Sequence, residues 1–500
     1  MTRTSQYVGL GLLGALSLMA NNLQITNFSV NQADQTVSFQ VSWQNAWRLT
    51  SPPSNWDAVW IFVKFRACNQ FNDPWTHGQI STTLSDHTIP AALEASLSDG
   101  SGVGIDPAPN NLGVMLRPAN AGTYATFGPH SVTLKVTNLP TSGQYDFRIF
   151  GIEMVFIPEG AYTLGTLNGW HSWSDQAAWA FDQNGNSGDP HIPYNITSEA
   201  ALTVRWAGSG ATSINVPATF PKGFRAFYIM KYEISQGQYA AFLNTLPSGA
   251  ASLRYIGFFN NNRNRLASSG SYPNQFFSDR EDRAQNYLCW HDLCAYLDWA
   301  ALRPITEMEY EKVCRGALPE VRGEYAWGTT NIAFGTTLSI TPETGTEVFS
   351  APVNANCTGW IGGNYAGGDG GQGPVRVGIH AKPGSPNREA SGASYYGVMD
   401  MSGNVWEMVV MVSAPDGTVG APAYTGNWGD GVLDWATGTA NQTNWPLGNP
   451  GGFGIRGGSW GNDWRDHRVS ARNCSYPTHT CSNTRNPNSR HEHHGGRGAR

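Results

Sequence analysis

Beyond Gly316 the sequence gives up any regular period. The run "NANCTGWIGGNYAGGDGGQG", residues 354–373, has neither the alternation of a strand nor the 3.6-residue recurrence of a helix. Loops of this length inside a compact domain are functional, or are held by something such as a metal. The chain therefore needs a scaffold that pins irregular backbone with large side chains. The composition supplies them: 58 glycines stand beside 19 tryptophans and 19 tyrosines. Glycine permits the turns, and the flat rings anchor them. At 500 residues the chain exceeds one ordinary core and predicts two or three domains. With 40% hydrophobic and 14% charged residues it is globular. The net charge of −6, with basic residues scattered until the last stretch, offers no polyanion groove, so nucleic acid is not an expected partner.

The opening "MTRTSQYVGLGLLGALSLMANN" carries Arg3 and an apolar stretch from Tyr7 to Ala20. Residues 1–20 are read as an export signal, and an uncleaved anchor is the alternative. The stretch is too short to span a bilayer comfortably, and no later segment is apolar enough to try. The expected location is secreted or cell-surface, and an integral membrane protein is not expected. The seven cysteines (Cys68, Cys289, Cys294, Cys314, Cys357, Cys474 and Cys481) are odd in number and irregular in spacing, a poor disulfide framework. No CxxC pair exists, which excludes a zinc ribbon. Cys289 and Cys294 are expected to fill a helix face.

Residues 21–150 read as β. "QTVSFQVSW" places Val37, Phe39, Val41 and Trp43 on one face, and "AVWIFVKF", "SVTLKVTNL" and "YDFRIFGI" are further strands between turn-forming clusters. Several short strands without a helix predict an all-β sandwich of immunoglobulin-like kind. A second domain, residues 151–500, opens at "EMVFIPEGAYTLG". In it "EISQGQYAAFLNTLP" predicts a helix capped by Ser235, with Tyr239, Phe242, Leu243 and Leu246 at helical spacing. Residues 289–301 predict a second helix. In "RPITEMEYEKVCRG", Thr306 and Glu309 have the spacing of a capping box.

"EMVFIPEGAYTLG", "YEISQGQYAAFLN", "RPITEMEYEKVCRG", "YAWGTT", "GVMDMSGNVWEM", "FGIRGGSW" and "GGRGAR" occur in the order seen in the formylglycine-generating enzyme (sulfatase-modifying factor) family, which residues 153–500 resemble. The resemblance implies an α+β, C-type-lectin-like fold. The oxidase members hold copper with two cysteines shortly after the GGS motif, as copper(I) requires soft thiolates. Here the run from Arg456 to Asn473 has no cysteine, so copper is not expected. Relatives that place iron in an added helical domain do so where this chain has its β region. The resemblance also implies calcium at two loops. One uses Asp400, Glu407 and carbonyls at Gly403 and Val405, and the other uses Asn356, Asp369 and carbonyls of Cys357 and Gly371. Calcium takes six to eight hard oxygens, which such loops can provide. The alternative is that these carboxylates bond to backbone amides.

A narrower resemblance covers the last residues. "RGGSW", "RVSARN" and "GGRGAR", framing polar runs, are similar to the end of variable proteins made by diversity-generating retroelements. Adenine-directed mutagenesis rewrites Asn-type codons there, and fixed scaffold residues alternate with varied ones that form a binding face. Between 462 and 494 only Trp464 and Glu492 cannot be encoded by a codon ending in C. The resemblance implies a face built from Asn462, Asp463, Trp464, Asp466, His467, Asn473, Cys474, Ser475 and Tyr476. His479, Cys481, Asn483, Arg485, Asn488, His491, His493 and His494 complete it. Rigid aromatic rings among adaptable polar groups suit recognition, as in antibody loops. A metal site in "HEHH" has no dependable ligand spacing and is disfavoured, and a disordered tail is the other alternative. The expected protein is therefore an exported, non-enzymatic binder of a protein or glycan on a cell or phage surface. An oxidase with a rearranged site, using Cys474 and Cys481, and a self-assembling structural protein are the rivals.

Overall fold

The structure is a computed structural model. It describes residues 22–68, 73–167, 180–185, 190–271, 274–334, 338, 347–349, 353–357, 372–381, 385–413, 420–448, 451–462, 464–472 and 486–500.

Strands β1 (Gln24–Asn31) and β2 (Thr36–Arg48) precede β3 (Asp57–Ala67). The next are β4 (Thr76–His77), β5 (Leu93–Ser96), β6 (Val114–Pro118), β7 (Gly122–Lys135) and β8 (Tyr145–Ile157). Two hairpins follow: β9 (Tyr162–Leu164) with β10 (Tyr194–Ile196), and β11 (Leu202–Val204) with β12 (Ile214–Val216). After β13 (Phe227–Met230) come helices α1 (Gln236–Leu243) and α2 (Ser248–Arg254) and the hairpin of β14 (Leu266–Ser268) and β15 (Phe276–Ser278). Helix α3 (Trp290–Trp299), β16 (Arg303–Pro304) and α4 (Glu307–Arg315) complete the regular middle. Strands β17 (Trp406–Val410), β18 (Phe453–Arg456), β19 (His494–Gly495) and β20 (Gly498–Ala499) close the chain. The result is β-rich α+β.

The predicted boundary near residue 150 falls inside β8, and that strand is the joint of the molecule. Its full length pairs with β3, from Asp57↔Val155 to Ala67↔Tyr145, while Met154–Ile157 also pair with β13. The large sheet therefore runs β16-β20-β13-β8-β3-β6-β5, with β4 attached to β3. Strands from both expected domains share it, so the β region is not a free-standing two-sheet sandwich. The reason is in β3. "DAVWIFVKFRA" is buried on both faces, as a central strand must be. Val59, Ile61 and Val63 pack with Val37, Phe39, Val41 and Trp43 of the β1-β2-β7 sheet. Trp60 and Phe62 point the other way, into a core with Phe242, Trp299 and Ala300. Trp60 Nε1 donates to Ala300 O at 2.9 Å, and the Phe62 ring meets Trp299 edge-on at 5.2 Å.

The predicted helices form. Ser235 caps α1 in a capping box with Gln238, and Leu246 lies past its end. Cys289 is the N-cap of α3 and Cys294 is buried within it. Among the described residues no helix is long and apolar enough to cross a membrane.

Candidate functional site

The capping box of α4 is the starting point. Thr306 Oγ1 accepts from Glu309 N at 3.1 Å, and Glu309 Oε2 accepts from Thr306 N at 2.9 Å. This fixes the helix start and sets Glu307 and Glu311, four residues apart, on one face. Both are fully buried. Arg472 Nε donates to Glu307 Oε2 at 2.7 Å, and Arg456 Nη2 donates to Glu311 Oε1 at 2.6 Å. Arg315 joins Glu311 at 3.3 Å and also donates to Glu324. The "RGGSW" and "RVSAR" frames are thereby tied to one helix.

The far end of the segment is held in the same way by other elements. Arg490 Nε donates to Asp292 on α3 at 2.7 Å. Arg497 Nε donates to Glu407 on β17 at 2.7 Å. Arg500 pairs with Asp106 at 3.0 Å and lies 3.9 Å from the Trp60 ring. Each acid comes from outside residues 456–500. Removing one partner of such a buried pair strands the other charge, at about 3–5 kcal/mol. Five arginines thus clamp the segment to acids elsewhere in the fold.

The described residues of the expected face fall into three groups. Asn488 is exposed, with Oδ1 2.8 Å from His291 Nδ1. Asn462, Trp464, His491 and His493 are half-buried, and Arg468 stacks over Trp464 at 5.0 Å. Asp466, His467 and His494 are buried, which corrects their assignment to an exposed face. His467 packs against Gly458, where an added Cβ would lie 2.5 Å from Nδ1, and His494 belongs to β19 beside Trp406. Asp463, Asn473, Cys474, Ser475, Tyr476, His479, Cys481, Asn483 and Arg485 lie outside the described residues. Burial pushes His493 down to about 4, aided by His491, and pushes His494 well below the usual imidazole range. Both rings are neutral near pH 7.

The two expected calcium loops meet. Asn404 N donates to Asn356 O at 2.9 Å, and Asn356 Nδ2 donates to Asn404 Oδ1 at 3.1 Å. The first loop does not fit the ion as expected. Glu407 is ion-paired with Arg497, Asp400 Oδ2 accepts from Gly378 N at 2.5 Å, and Val405 N donates to Glu233 Oε1 at 3.0 Å. Burial, then the neighbouring Asp400 and Glu407, pushes Glu233 well up. Among the described residues these carboxylates do not converge on one point. In the second loop Asn356 Oδ1 is buried without a donor and Cys357 is buried, while Asp369 and Gly371 lie outside the described residues. An oxygen left without a donor is what a hard cation would use.

The one group of three described His, Cys, Asp or Glu residues whose ligand atoms converge is His491, Glu492 and His493. That proximity is not apparent from the spacing in "HEHH". Also unforeseen is a buried cluster on β3, β8 and the end of β13. There Lys231 Nζ lies 3.0 Å from Asp57 and 3.4 Å from Glu153. Asp57 also takes Trp43 Nε1 and Trp47 N, at 3.0 Å each. Glu153 is the acid left over, and burial pushes it up to about 7. The described thiols of Cys289, Cys294 and Cys314 are all pushed up by burial.

An α+β scaffold with a clamped, irregular closing segment defines the class, and comparison with known proteins places the chain in it. Residues 152–484 match the Sulfatase-modifying factor enzyme 1-like domain, and the chain belongs to that family. A formylglycine-generating enzyme of Thermomonospora curvata is 29% identical over 138 residues, 27% of this chain and 35% of that protein. The chain thus spans about a third of that curated relative. Among solved structures, Treponema denticola variable protein 1 is similar over 70% of this chain and 95% of its own, at 15% identity and a TM-score of 0.31.

Proposed function

We propose that this protein is an exported, non-catalytic display protein that binds a protein or glycan on a cell or phage surface through residues 462–494. The observation that carries this reading is the arginine clamp. Arg456, Arg472, Arg490, Arg497 and Arg500 pair with acids outside the segment, so it is anchored on both sides by residues other than 473–485. Such a frame tolerates replacement of what it holds, as diversification by a retroelement requires. The test has two parts. A template copy of the 3′ end of the gene, from which the gene differs at the template's adenines, should stand beside a reverse transcriptase gene. A full chain carrying an alternative 473–485 run should keep its melting temperature and change its profile on arrays of glycans and surface proteins. An unchanged profile would overturn the reading.

A second reading, oxidation of a substrate cysteine, rests on the match to a formylglycine-generating enzyme. It would have to work without a cysteine between Arg456 and Asn473. Copper(I) titration of the reduced protein tests it, and stoichiometric uptake lost in Cys474→Ser/Cys481→Ser would favour it.

A further inference from the structure

Consecutive side chains diverge in helices and strands, so three neighbours rarely share a ligand. Residues 491–494 escape this because they form a turn. His494 N donates to His491 O at 3.0 Å, leaving Glu492 and His493 at its centre. The turn is tied from three sides. Trp406 N donates to His493 O at 2.8 Å, Leu288 N donates to His494 O at 3.1 Å, and Trp460 Nε1 donates to Glu492 O at 3.3 Å. The Trp460 ring backs His493 at 4.5 Å.

Within this turn a nitrogen of each imidazole and a carboxylate oxygen lie within 4.8 Å of one another. Glu492 Oε2 is 3.7 Å from His491 Nδ1, and Oε1 is 3.8 Å from His493 Nε2. Two ligands about 2.0–2.1 Å from a tetrahedral zinc ion stand roughly 3.4 Å apart, so the set must draw together from separations of up to 4.8 Å to close on one ion, a movement that side-chain rotation supplies.

The proton positions favour the same outcome. His493 Nδ1 faces Ser459 Oγ at 2.7 Å and Asn462 Oδ1 at 3.2 Å. Ser459 gives its one hydroxyl hydrogen to Asn462 Oδ1, so both oxygens offer lone pairs to Nδ1. With the Asn462 amide so oriented, Nδ1 carries the ring hydrogen and the lone pair falls on Nε2, the nitrogen beside Glu492. His491 Nδ1 is unprotonated, accepting from His493 N in a long 3.4 Å contact whose lone pair an ion would take over. A hydrogen bond from the far nitrogen is how proteins orient a histidine ligand.

We propose that His491, Glu492 and His493 form a two-nitrogen, one-oxygen site for a divalent cation of the zinc class, oriented by Ser459 and Asn462. The side chains of His491, Glu492 and His493 are 24%, 38% and 17% exposed, so the site opens on one side and leaves a coordination position for water or a ligand group. Calcium would want more oxygens and copper(I) would want thiolates. The turn lies beyond the residues that match the family, and the proposal goes beyond the display reading and does not rest on it.

The experiment is calorimetric titration of the chelator-stripped full chain with zinc sulfate. One ion per chain is expected, with affinity reduced at least tenfold in Glu492→Gln and His493→Gln. Ser459→Ala should weaken binding about tenfold, the usual cost of losing an orienting partner. It should also alter the visible spectrum of the cobalt(II) form, while the stripped protein still unfolds cooperatively. Cys474→Ser/Cys481→Ser should bind as the parent does. No uptake, uptake unchanged in Glu492→Gln and Ser459→Ala, or uptake lost in the cysteine variant would each overturn the proposal. Uptake lost in His493→Gln yet untouched in Ser459→Ala would mark a solvated histidine run and would overturn it too.

Discussion

Arg472→Met is the most informative single perturbation of the clamp. Methionine keeps much of the volume and none of the charge. The loss removes the 2.7 Å bond to Glu307, the 3.0 Å bond to Ser413 O and the guanidinium 4.3 Å from the Phe181 ring. Glu307 is left buried, holding Val412 N at 2.9 Å and Arg456 Nη1 at a longer 3.7 Å. Stranding a buried charge costs about 3–5 kcal/mol, and the remaining Arg456 places this case near ~3 kcal/mol. With a urea m-value of about 3 kcal/mol/M, the midpoint should fall by roughly 1 M when unfolding is followed by tryptophan fluorescence. The double variant Glu307→Gln/Arg472→Met removes the stranded charge and keeps an acceptor for Val412 N. It should recover at least half of the loss. A single-variant shift under about 0.3 M, or a double variant that merely adds the two losses, would refute the clamp.

Other consequences follow from the same geometry. Thr306→Ala should cost about 0.5–2 kcal/mol, because Glu309 N loses its cap at the helix that positions Glu307 and Glu311; urea midpoints check it. Glu153, held at about 7 by burial, keeps a proton that the unfolded chain releases near 4.5. Its contribution is present below about pH 4.5 and is lost as the pH climbs through about 7, so stability falls across that window. Glu153→Gln should flatten that slope by up to about 1.4 kcal/mol per pH unit, read from urea midpoints at pH 5 and 7; parallel slopes would contradict it. Trp60→Ala should cost about 3–5 kcal/mol by emptying the core between β3 and α3, with unfolding by urea as the readout.

Local rules carried the sequence reading where local physics decides. Ser235 and Thr306 cap their helices as their spacing requires, and the alternation in β2 sends Val37, Phe39, Val41 and Trp43 to one core. The family match begins at residue 152, close to the expected boundary, yet the sequence does not reveal that β8 runs across it, because β8 reads as one more half-buried strand. Only its second partner, β13, some seventy residues later, makes it a joint. The buried acids were invisible for a related reason. Glu307 looks like a first-turn helix acid and Glu407 like a calcium ligand, until the fold brings Arg472 and Arg497 against them. The proximity of His491, Glu492 and His493 is illegible in "HEHH" because ligand spacings are rules for helices and strands, and here a turn brings the side chains together. His467 and His494 look identical in sequence to the accessible histidines, and only burial separates them.

The most direct test of the account is to replace Asn473, Ser475, Tyr476, His479, Asn483, Arg485 and Asn488 together with other small polar or aromatic residues, then measure thermal unfolding beside Arg472→Met. The account predicts a melting temperature within about 2 °C of the parent for the seven-residue replacement, well short of the loss in the single arginine variant. A replacement that unfolds as readily as Arg472→Met would place the fold's stability in those side chains and contradict the clamp.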